Sequence, residues 1–296
     1  MKKTVYQGTA TAMVTPMTST GVDYDALARL IDFQLEAGID ALVAVGTTGE
    51  SATLTPEERT EVIAQTVRRV NGRVPVIAGT GTKDTKHVLE YTRQACDVGA
   101  DAVLVVTPYY NKATQNGLIA HFTAVADASE KPVILYNVPS RTGCNLLPAT
   151  AARLAEHPNI TAIKEACGSL AQVTELASLC LDKLDIYSGD DAITVPMMAV
   201  GAKGCISVAS NVVPGLVKEM TNRFLRGDVA GAGELQRRLV PLNKALFLEV
   251  NPIPAKAAVS AMGFGEEHIR LPLTPMEQPG RDKLFEIMRN LGVNIG

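Results

Sequence analysis

Short hydrophobic runs recur along the chain, and within each run apolar residues follow one another instead of alternating with polar ones. This pattern is typical of parallel strands that are buried on both faces. It predicts eight strands, near residues 10–14, 41–45, 75–79, 101–106, 132–136, 161–164, 184–188 and 204–209.

The segments between these runs have the spacing of amphipathic helices. In the clearest case Thr55 is a plausible N-cap, Pro56 the first helical residue and Glu58 the partner that completes a capping box. Apolar residues then recur at helical spacing up to Val70. Eight strand–helix units in succession predict an α/β fold, a (β/α)8 TIM barrel.

A doubly wound sheet is the alternative fold. It usually has fewer strands and a G-x-G-x-x-G turn after the first strand, where this chain has Val14-Thr15-Pro16. The eighth unit needs the chain only to about residue 228, and further helical segments follow, interrupted by prolines. We therefore expect a catalytic barrel over residues 1–228 and a helical C-terminal extension, packed on the barrel, over residues 229–296.

Composition narrows the functional class. The 296 residues are 46% hydrophobic and 20% charged with a net charge of −3, which predicts a well-packed core and gives no basic surface for nucleic acid or anionic membranes. The five cysteines are scattered without a C-x-x-C motif, and no histidines have zinc-ligand spacing. Reduced thiols and the lack of a signal-peptide pattern favour a cytoplasmic protein.

Active sites of (β/α)8 barrels form at the carboxyl ends of the strands, so the polar residues that follow each apolar run are the candidates for chemistry. They comprise Gly46–Ser51 after the second run, Thr107–Tyr110 after the fourth, Tyr136 and Arg141 after the fifth, Lys164 and Glu165 after the sixth, Ser188–Asp191 after the seventh, and Ser207, Ser210 and Asn211 after the eighth.

Lys164 is the strongest candidate for a catalytic residue in this set. A lysine on an interior strand is costly, because burial disfavours the ammonium ion and lowers its pKa. The neutral amine that results can form a Schiff base with a carbonyl substrate. The alternative is a lysine at the strand end that reaches solvent or pairs with Glu165.

The other candidates have structural alternatives as well. Tyr136 could move protons at an imine or could simply pack with its hydroxyl satisfied. Arg141 has the planar fork that suits a substrate carboxylate, although a lone loop arginine is usually a solvated charge. The Gly46–Ser51 turn could cradle a carboxylate with its N–H groups or be an ordinary connection. For the pair Asp190 and Asp191, a helix N-cap is a better interpretation than a metal site.

Taken together, the motifs resemble those of the dihydrodipicolinate synthase family, within the pyruvate-dependent Schiff-base aldolases. The resemblance covers essentially the whole chain, and the arginine of the fifth-strand motif resembles the synthase branch and not the sialic-acid lyase branch. The matching motifs are VTP (14–16), GTTGES (46–51), VTPYYN (106–111), LYNVPSRTG (135–143), IKEA (163–166), SGDD (188–191), CISV (205–208) and NPIPAK (251–256).

The resemblance implies a reaction and a role for each matching residue. Lys164 would form an imine with pyruvate, and the derived enamine would attack L-aspartate-4-semialdehyde to give 4-hydroxy-tetrahydrodipicolinate, in the biosynthesis of diaminopimelate and lysine. It implies a carbon–oxygen lyase that uses no metal or organic cofactor. The remaining roles would be proton relay for Tyr136, Thr47 and Tyr110, and substrate binding for Thr48, Arg141 and, through its main chain, Ile206.

The resemblance also implies an assembly. In the family the second tyrosine of the relay, here Tyr110, reaches in from a neighbouring subunit. We therefore expect a homo-oligomer, either a dimer or a dimer of dimers that forms a homotetramer, and no nucleic-acid or membrane partner.

A lysine-inhibition site at the dimer interface is the one place where this chain departs from the family pattern. Ser51, Ala52 and Tyr109 match the site, but the family's histidine pair, asparagine and glutamate are replaced. Without that carboxylate, and with added positive charge, lysine should bind poorly, so we expect weak or no inhibition by lysine. The replacing residues are Pro56, Arg59, Lys83 and His87.

Three other functions stay open at this point. A Schiff-base aldolase acting on a sugar-type aldehyde would keep Lys164, although Arg141 argues against it. A metal-dependent aldolase is disfavoured by the scattered histidines. A non-catalytic barrel that serves as a scaffold is disfavoured by the intact set of Thr47, Tyr110, Tyr136, Arg141 and Lys164.

Overall fold

The computed structural model describes residues 2–296 and contains ten strands in that range. They are β1 Gly8–Ala12, β2 Met17–Thr18, β3 Gly21–Val22, β4 Ala41–Ala44, β5 Val76–Gly79, β6 Ala102–Val106, β7 Val133–Asn137, β8 Ile160–Glu165, β9 Asp185–Ser188 and β10 Gly204–Ser207.

Twelve α-helices occur over the same residues, with 3₁₀ turns at Asp191–Ile193 and Ala209–Asn211. They are α1 Tyr24–Glu36, α2 Pro56–Val70, α3 Thr85–Asp97, α4 Gln115–Ala128, α5 Pro139–Thr142, α6 Pro148–Leu154, α7 Leu170–Cys180, α8 Thr194–Ala199, α9 Pro214–Leu225, α10 Val229–Ala245, α11 Ile253–Ala261 and α12 Gln278–Asn290.

The strands β1 and β4–β10 close into an eight-stranded parallel barrel in chain order, with β1 paired to both β4 and β10. The predicted (β/α)8 fold is confirmed, and each predicted strand lies within two residues of an observed one. The short antiparallel hairpin of β2 and β3, which follows the first barrel strand, was not predicted. It is too short to leave a recognisable hydrophobic pattern.

Local signals account for the helix that follows β4. The Thr55 hydroxyl accepts a hydrogen bond from the Glu58 N–H, the Glu58 carboxylate accepts one from the Thr55 N–H, and Pro56 occupies the first turn. The predicted capping box is therefore confirmed. It fixes the start of α2 and so the length of the turn that connects this helix to β4.

The core has two layers. The outer layer lies between barrel and helices. The inner layer fills the barrel with larger apolar and tyrosine side chains together with the alanines Ala10, Ala12, Ala41, Ala102 and Ala162. The amino-terminal end of the barrel interior is filled by Tyr6 and Tyr187, whose rings stack with centroids 4.3 Å apart. We call this the lower end of the interior; the two cavities described below lie at the opposite end, toward the carboxyl ends of the strands.

The helices α10–α12 follow the eighth barrel helix, α9. The first of them contacts both α9 and α12, and it continues through Pro241. These contacts agree with an extension packed on the barrel, while the exact division of the chain at residue 228 stays a prediction. Within residues 2–296 none of the helices has both the length and the apolar character to cross a membrane.

Candidate active site

The strands β7 and β8 place Tyr136 and Lys164 beside each other. The two residues are partners in the parallel register, and both point into the barrel. The Lys164 Nζ lies 4.4 Å from the centroid of the Tyr136 ring, and both residues are buried, with 6% and 7% of their surfaces exposed. An amine over an aromatic face, at the open end of a closed interior, is well placed to react with a small carbonyl compound.

The next pair in the register, Asn137 and Glu165, points to the opposite face of the sheet. The Glu165 carboxylate accepts hydrogen bonds from Asn137 Nδ2 at 3.1 Å and from the Cys167 N–H at 2.8 Å. Burial raises the pKa of Glu165. The alternative in which Lys164 pairs with Glu165 is therefore wrong, and no carboxylate in residues 2–296 is within ion-pair distance of the Lys164 amine.

A cavity of about 380 Å³ opens above Lys164. Four of the residues to which the resemblance gave a catalytic or substrate-binding role line it together, namely Thr48, Tyr136, Arg141 and Lys164. The cavity has room for a three-carbon keto acid and a second small molecule. Its walls also include Asp190 and Asp191, and three residues to which the sequence analysis gave no individual role, namely Gly189, Asn243 and Asn251.

Gly189, at the end of β9, makes room for the lysine side chain. A Cβ atom at this position would lie 2.9 Å from Lys164 Cε and 2.8 Å from the Ala166 Cβ, closer than ordinary packing allows. Only glycine fits here without displacing the amine. The sequence shows this glycine, but only the folded barrel shows what it faces.

The turn that follows β4 brings Thr47 and Thr48 to the mouth of the barrel. Thr48 is buried and lines the cavity with Lys164, whereas Thr47 lines a neighbouring cavity of about 340 Å³. The turn closes on itself through hydrogen bonds from the Gly49 N–H to the Gly46 carbonyl and from the Glu50 N–H to the Thr47 carbonyl. Glu50 has a left-handed φ of 56°, which is uncommon for a residue with a side chain.

Arg141 lies on the one-turn helix α5, and it lines both cavities. Its Nη2 donates to the main-chain oxygen of Asn251 at 2.9 Å, and the Asn251 amide in turn donates to Thr48 Oγ1 at 3.1 Å. The C-terminal extension thus holds both the arginine and the threonine. The Oδ1 atom of Asn251 is buried without a hydrogen-bond partner in the described residues.

The two aspartates after β9 have structural roles. Asp190 caps the following 3₁₀ turn by accepting from the Ala192 N–H at 2.9 Å, so the predicted N-cap is confirmed. Asp191 is buried, and burial raises its pKa; its carboxylate accepts from the N–H groups of Val208 and Ala209 at 2.8 and 2.9 Å. These bonds fix the end of β10, the strand on which Ile206 is buried among the interior residues.

Tyr110 is not brought into the site of its own subunit. It is 89% exposed, lines neither cavity, and has a left-handed φ of 74°. Its neighbour Tyr109 points inward and lines the second cavity, with its hydroxyl 3.2 Å from Thr82 Oγ1. The backbone therefore directs one tyrosine of the pair into the subunit and the other away from it.

The residues expected at the lysine site are only partly together. Ser51, Ala52 and Tyr109 line the second cavity, whereas Lys83 and His87 are exposed and line neither cavity. Arg59 is buried: it donates to the carbonyls of Ser51 and Gly79 at 2.7 and 2.9 Å, and its guanidinium lies 4.3 Å from the centroid of the Tyr91 ring. Burial lowers the pKa of Arg59.

The comparisons with known proteins identify the family and agree with this fold. The family model described as "Dihydrodipicolinate synthetase family" matches residues 5–291. The 4-hydroxy-tetrahydrodipicolinate synthase of Geobacter sulfurreducens is 51% identical over 285 residues, which are 96% of this chain and 98% of that protein.

Two solved structures show the same fold over almost the whole chain. The dihydrodipicolinate synthase of Aquifex aeolicus has a TM-score of 0.96 at 45% identity, covering 98% of this chain and 99% of that one. The chloride-inhibited enzyme of Acinetobacter baumannii, solved in complex with pyruvate, has a TM-score of 0.96 at 45% identity, covering 98% and 100%.

Proposed function

We propose, because the chain belongs to the dihydrodipicolinate synthetase family, that it has 4-hydroxy-tetrahydrodipicolinate synthase activity and condenses pyruvate with L-aspartate-4-semialdehyde. The protein is then a lyase of lysine and diaminopimelate biosynthesis. The observation that carries the chemistry is the Lys164 amine, which has no ion-pair partner within residues 2–296 and is buried beside the Tyr136 ring in a cavity that Thr48 and Arg141 also line. A sugar-type aldehyde as second substrate is not favoured by the relatives.

In the proposed mechanism Lys164 attacks the ketone of pyruvate and water leaves, which gives an imine. The imine nitrogen withdraws electrons, so a methyl proton is lost and an enamine forms. The enamine carbon attacks the aldehyde of the second substrate, whose amine then displaces Lys164 and closes the ring. Imine formation and transimination need protons moved at the carbinolamine and imine, and we assign this transfer to the hydroxyl of Tyr136, whose ring lies beside the amine.

Two further groups bind carboxylates in this mechanism. Thr48 and the N–H groups of its turn bind the pyruvate carboxylate, and Ile206 contributes a main-chain contact from β10. Arg141, at the border of both cavities, binds the carboxylate of the semialdehyde. Thr47, which lines the second cavity, continues the proton relay toward Tyr110 of a neighbouring subunit.

Borohydride reduction in the presence of pyruvate tests the Schiff base. We expect a single pyruvate-derived adduct, located on Lys164 by peptide mass spectrometry, and none without pyruvate. Absence of an adduct on folded protein would overturn the mechanism. Competition between aspartate semialdehyde and sugar aldehydes as acceptors then tests the second substrate, with at least tenfold preference for the semialdehyde expected (about 1.4 kcal/mol).

The homo-oligomer follows from Tyr110, which is exposed in the single subunit and yet part of the proposed relay. If Tyr110 acts in a neighbouring site, a mixture of Lys164→Met and Tyr110→Phe subunits regains activity. Each mixed pair then contains one site with both wild-type residues. Activity of the mixture no greater than the sum of the separate variants, with subunit exchange confirmed by native mass spectrometry, would contradict the shared site.

Inhibition by lysine is expected to be weak or absent. The Arg59 guanidinium is buried against Ser51 and Tyr91, and none of the matched positions carries a carboxylate for the lysine ammonium. The double variant Lys83→Asn/His87→Glu supplies the missing carboxylate and should be more sensitive to lysine than wild type. Near-complete inhibition of the wild-type protein by submillimolar lysine would refute this expectation.

A further inference from the structure

A buried ion pair joins the turn after β4 to the C-terminal extension. The Lys256 ammonium, on α11, contacts Glu50 Oε1, and the two side chains are only 3% and 2% exposed. The second carboxylate oxygen of Glu50 accepts from the Arg270 N–H at 3.3 Å. Glu50 is two residues from Thr48 and three from Thr47, the residues assigned to the pyruvate carboxylate and the proton relay.

Stability alone does not account for this buried ion pair. Removing two charges from water costs several kcal/mol per ion, and apolar side chains of similar volume often stabilise a protein as well or better. In addition, Glu50 is in a strained left-handed conformation, with a φ of 56°. Such strain persists where neighbouring groups impose it, and here Lys256 and Arg270 of the extension hold the Glu50 carboxylate.

Other contacts from the extension reach the same turn. Asn251 donates from its amide to Thr48 Oγ1 at 3.1 Å. Arg270 donates to the Thr53 carbonyl at 2.8 Å and forms a two-pronged contact with Glu58, at 2.6 and 2.5 Å, where the turn enters α2. The segment from 251 to 270 therefore holds the turn at its beginning, middle and end.

We propose that Glu50 and Lys256 are positioning residues for the pyruvate site, through which the C-terminal extension holds Thr47 and Thr48 in the geometry that binds the keto-acid carboxylate. The proposal rests on the proposed function. It gives the extension a part in substrate binding, because α11 covers Glu50 and supplies the ammonium group that holds the turn in place.

Four variants separate positioning from a purely structural role. Glu50→Gln and Lys256→Met each break the pair, Glu50→Leu/Lys256→Met replaces it by two apolar side chains, and Lys256→Arg keeps the charge. A matched control, Lys218→Met, breaks the half-buried pair of Lys218 with Asp40 at the amino-terminal end of β4, away from the cavity.

The experiment measures the pyruvate concentration that gives half-maximal borohydride trapping on Lys164, together with KM for each substrate and the Tm of each variant. We expect this half-maximal pyruvate concentration to rise about tenfold in Glu50→Gln, in Lys256→Met and in the apolar double variant, even where the double variant recovers its Tm. KM for the semialdehyde should change less. Lys256→Arg and Lys218→Met should stay within about twofold of wild type.

The outcomes are distinct. Wild-type pyruvate dependence in a folded apolar double variant would overturn the proposal, as would single variants that lose Tm without a change in pyruvate dependence. If the single variants do not fold, the double variant alone decides. Absence of any adduct in the wild-type protein would instead overturn the proposed function.

Discussion

The two ends of the barrel interior use the same residue types for different purposes. At the lower end, Tyr6 donates its hydroxyl hydrogen bond to the Cys205 carbonyl at 3.0 Å, and Tyr187 donates to the Tyr6 carbonyl at 2.6 Å. At the upper end, the centroid of the Tyr136 ring lies 4.4 Å from the Lys164 amine, and both residues line a cavity. All three rings are buried.

The two ends differ in whether the tyrosine hydroxyls are hydrogen-bonded to the backbone and whether a cavity adjoins them, more than in burial. Burial raises the pKa of Tyr6 and Tyr187, so these phenols stay neutral and their hydroxyl groups keep donating to backbone carbonyls. Tyr136 and Lys164 instead have a cavity in front of them. A group can serve in proton transfer only if its proton is not already committed to the fold. The comparison thus predicts that equivalent substitutions have opposite consequences at the two ends.

The largest effect is expected from Lys164→Met, which removes the amine and keeps a similar volume. Turnover should fall by at least about 10³-fold, and borohydride should trap no pyruvate, because covalent catalysis is lost. Lys183→Met is the control, since Lys183 is an exposed lysine paired with Glu156. Substantial activity in Lys164→Met would show that the upper end is not a Schiff-base site.

Tyr136→Phe keeps the aromatic face beside the amine and removes only the hydroxyl. We expect kcat to fall about 10²-fold or more, the usual contribution of a positioned acid–base group. Exchange of the pyruvate methyl protons with deuterated water, followed by NMR, should slow in parallel. Tyr6→Phe makes the same chemical change at the lower end and should leave kcat within about twofold of wild type. Equal losses in both variants would break the comparison.

Sequence patterns predicted most of this architecture and part of the site. Continuous apolar runs located all eight barrel strands, since burial on both faces leaves little freedom in residue choice. Collecting the polar residues at strand ends found Lys164, Tyr136 and Thr48. These are local inferences, because each residue directly follows the run that positions it.

Contacts made across long stretches of chain could not be predicted. The reach of Asn251 and Lys256 to the turn after β4 depends on how α10 and α11 pack, which no periodicity encodes. The stacking of Tyr6 on Tyr187 likewise joins residues 181 positions apart. For Gly189 the residue type was visible, but its role is set by the lysine that it faces on the neighbouring strand.

Gly189→Ala tests how closely the upper end is fitted around the amine. The added methyl group would lie 2.9 Å from Lys164 Cε, so the lysine side chain must move. A displacement of this kind should slow borohydride trapping of pyruvate about tenfold, within the range known for small misplacements of reacting groups. Gly215→Ala is the matched control, because a Cβ there meets no atom within 4 Å. An unchanged trapping rate would show that the amine tolerates displacement.

The smallest effect on activity is expected from Tyr187→Phe, which should change kcat by less than about twofold. It removes the hydrogen bond to the Tyr6 carbonyl and should lower the free energy of unfolding by about 1 kcal/mol near neutral pH.

The Tyr187 pKa is raised by burial above its ordinary value of 10.0, so the unfolded state loses its phenol proton first as pH rises. Stability should therefore decline above pH 10, and less steeply in Tyr187→Phe. Urea unfolding at pH 8 and pH 10.5 measures both quantities. A loss of turnover at pH 8 comparable to that of Tyr136→Phe would mean that the lower tyrosines also serve the reaction. A hydroxyl group that is hydrogen-bonded to the backbone could then still take part in catalysis, and the proposed difference between the two ends would be wrong.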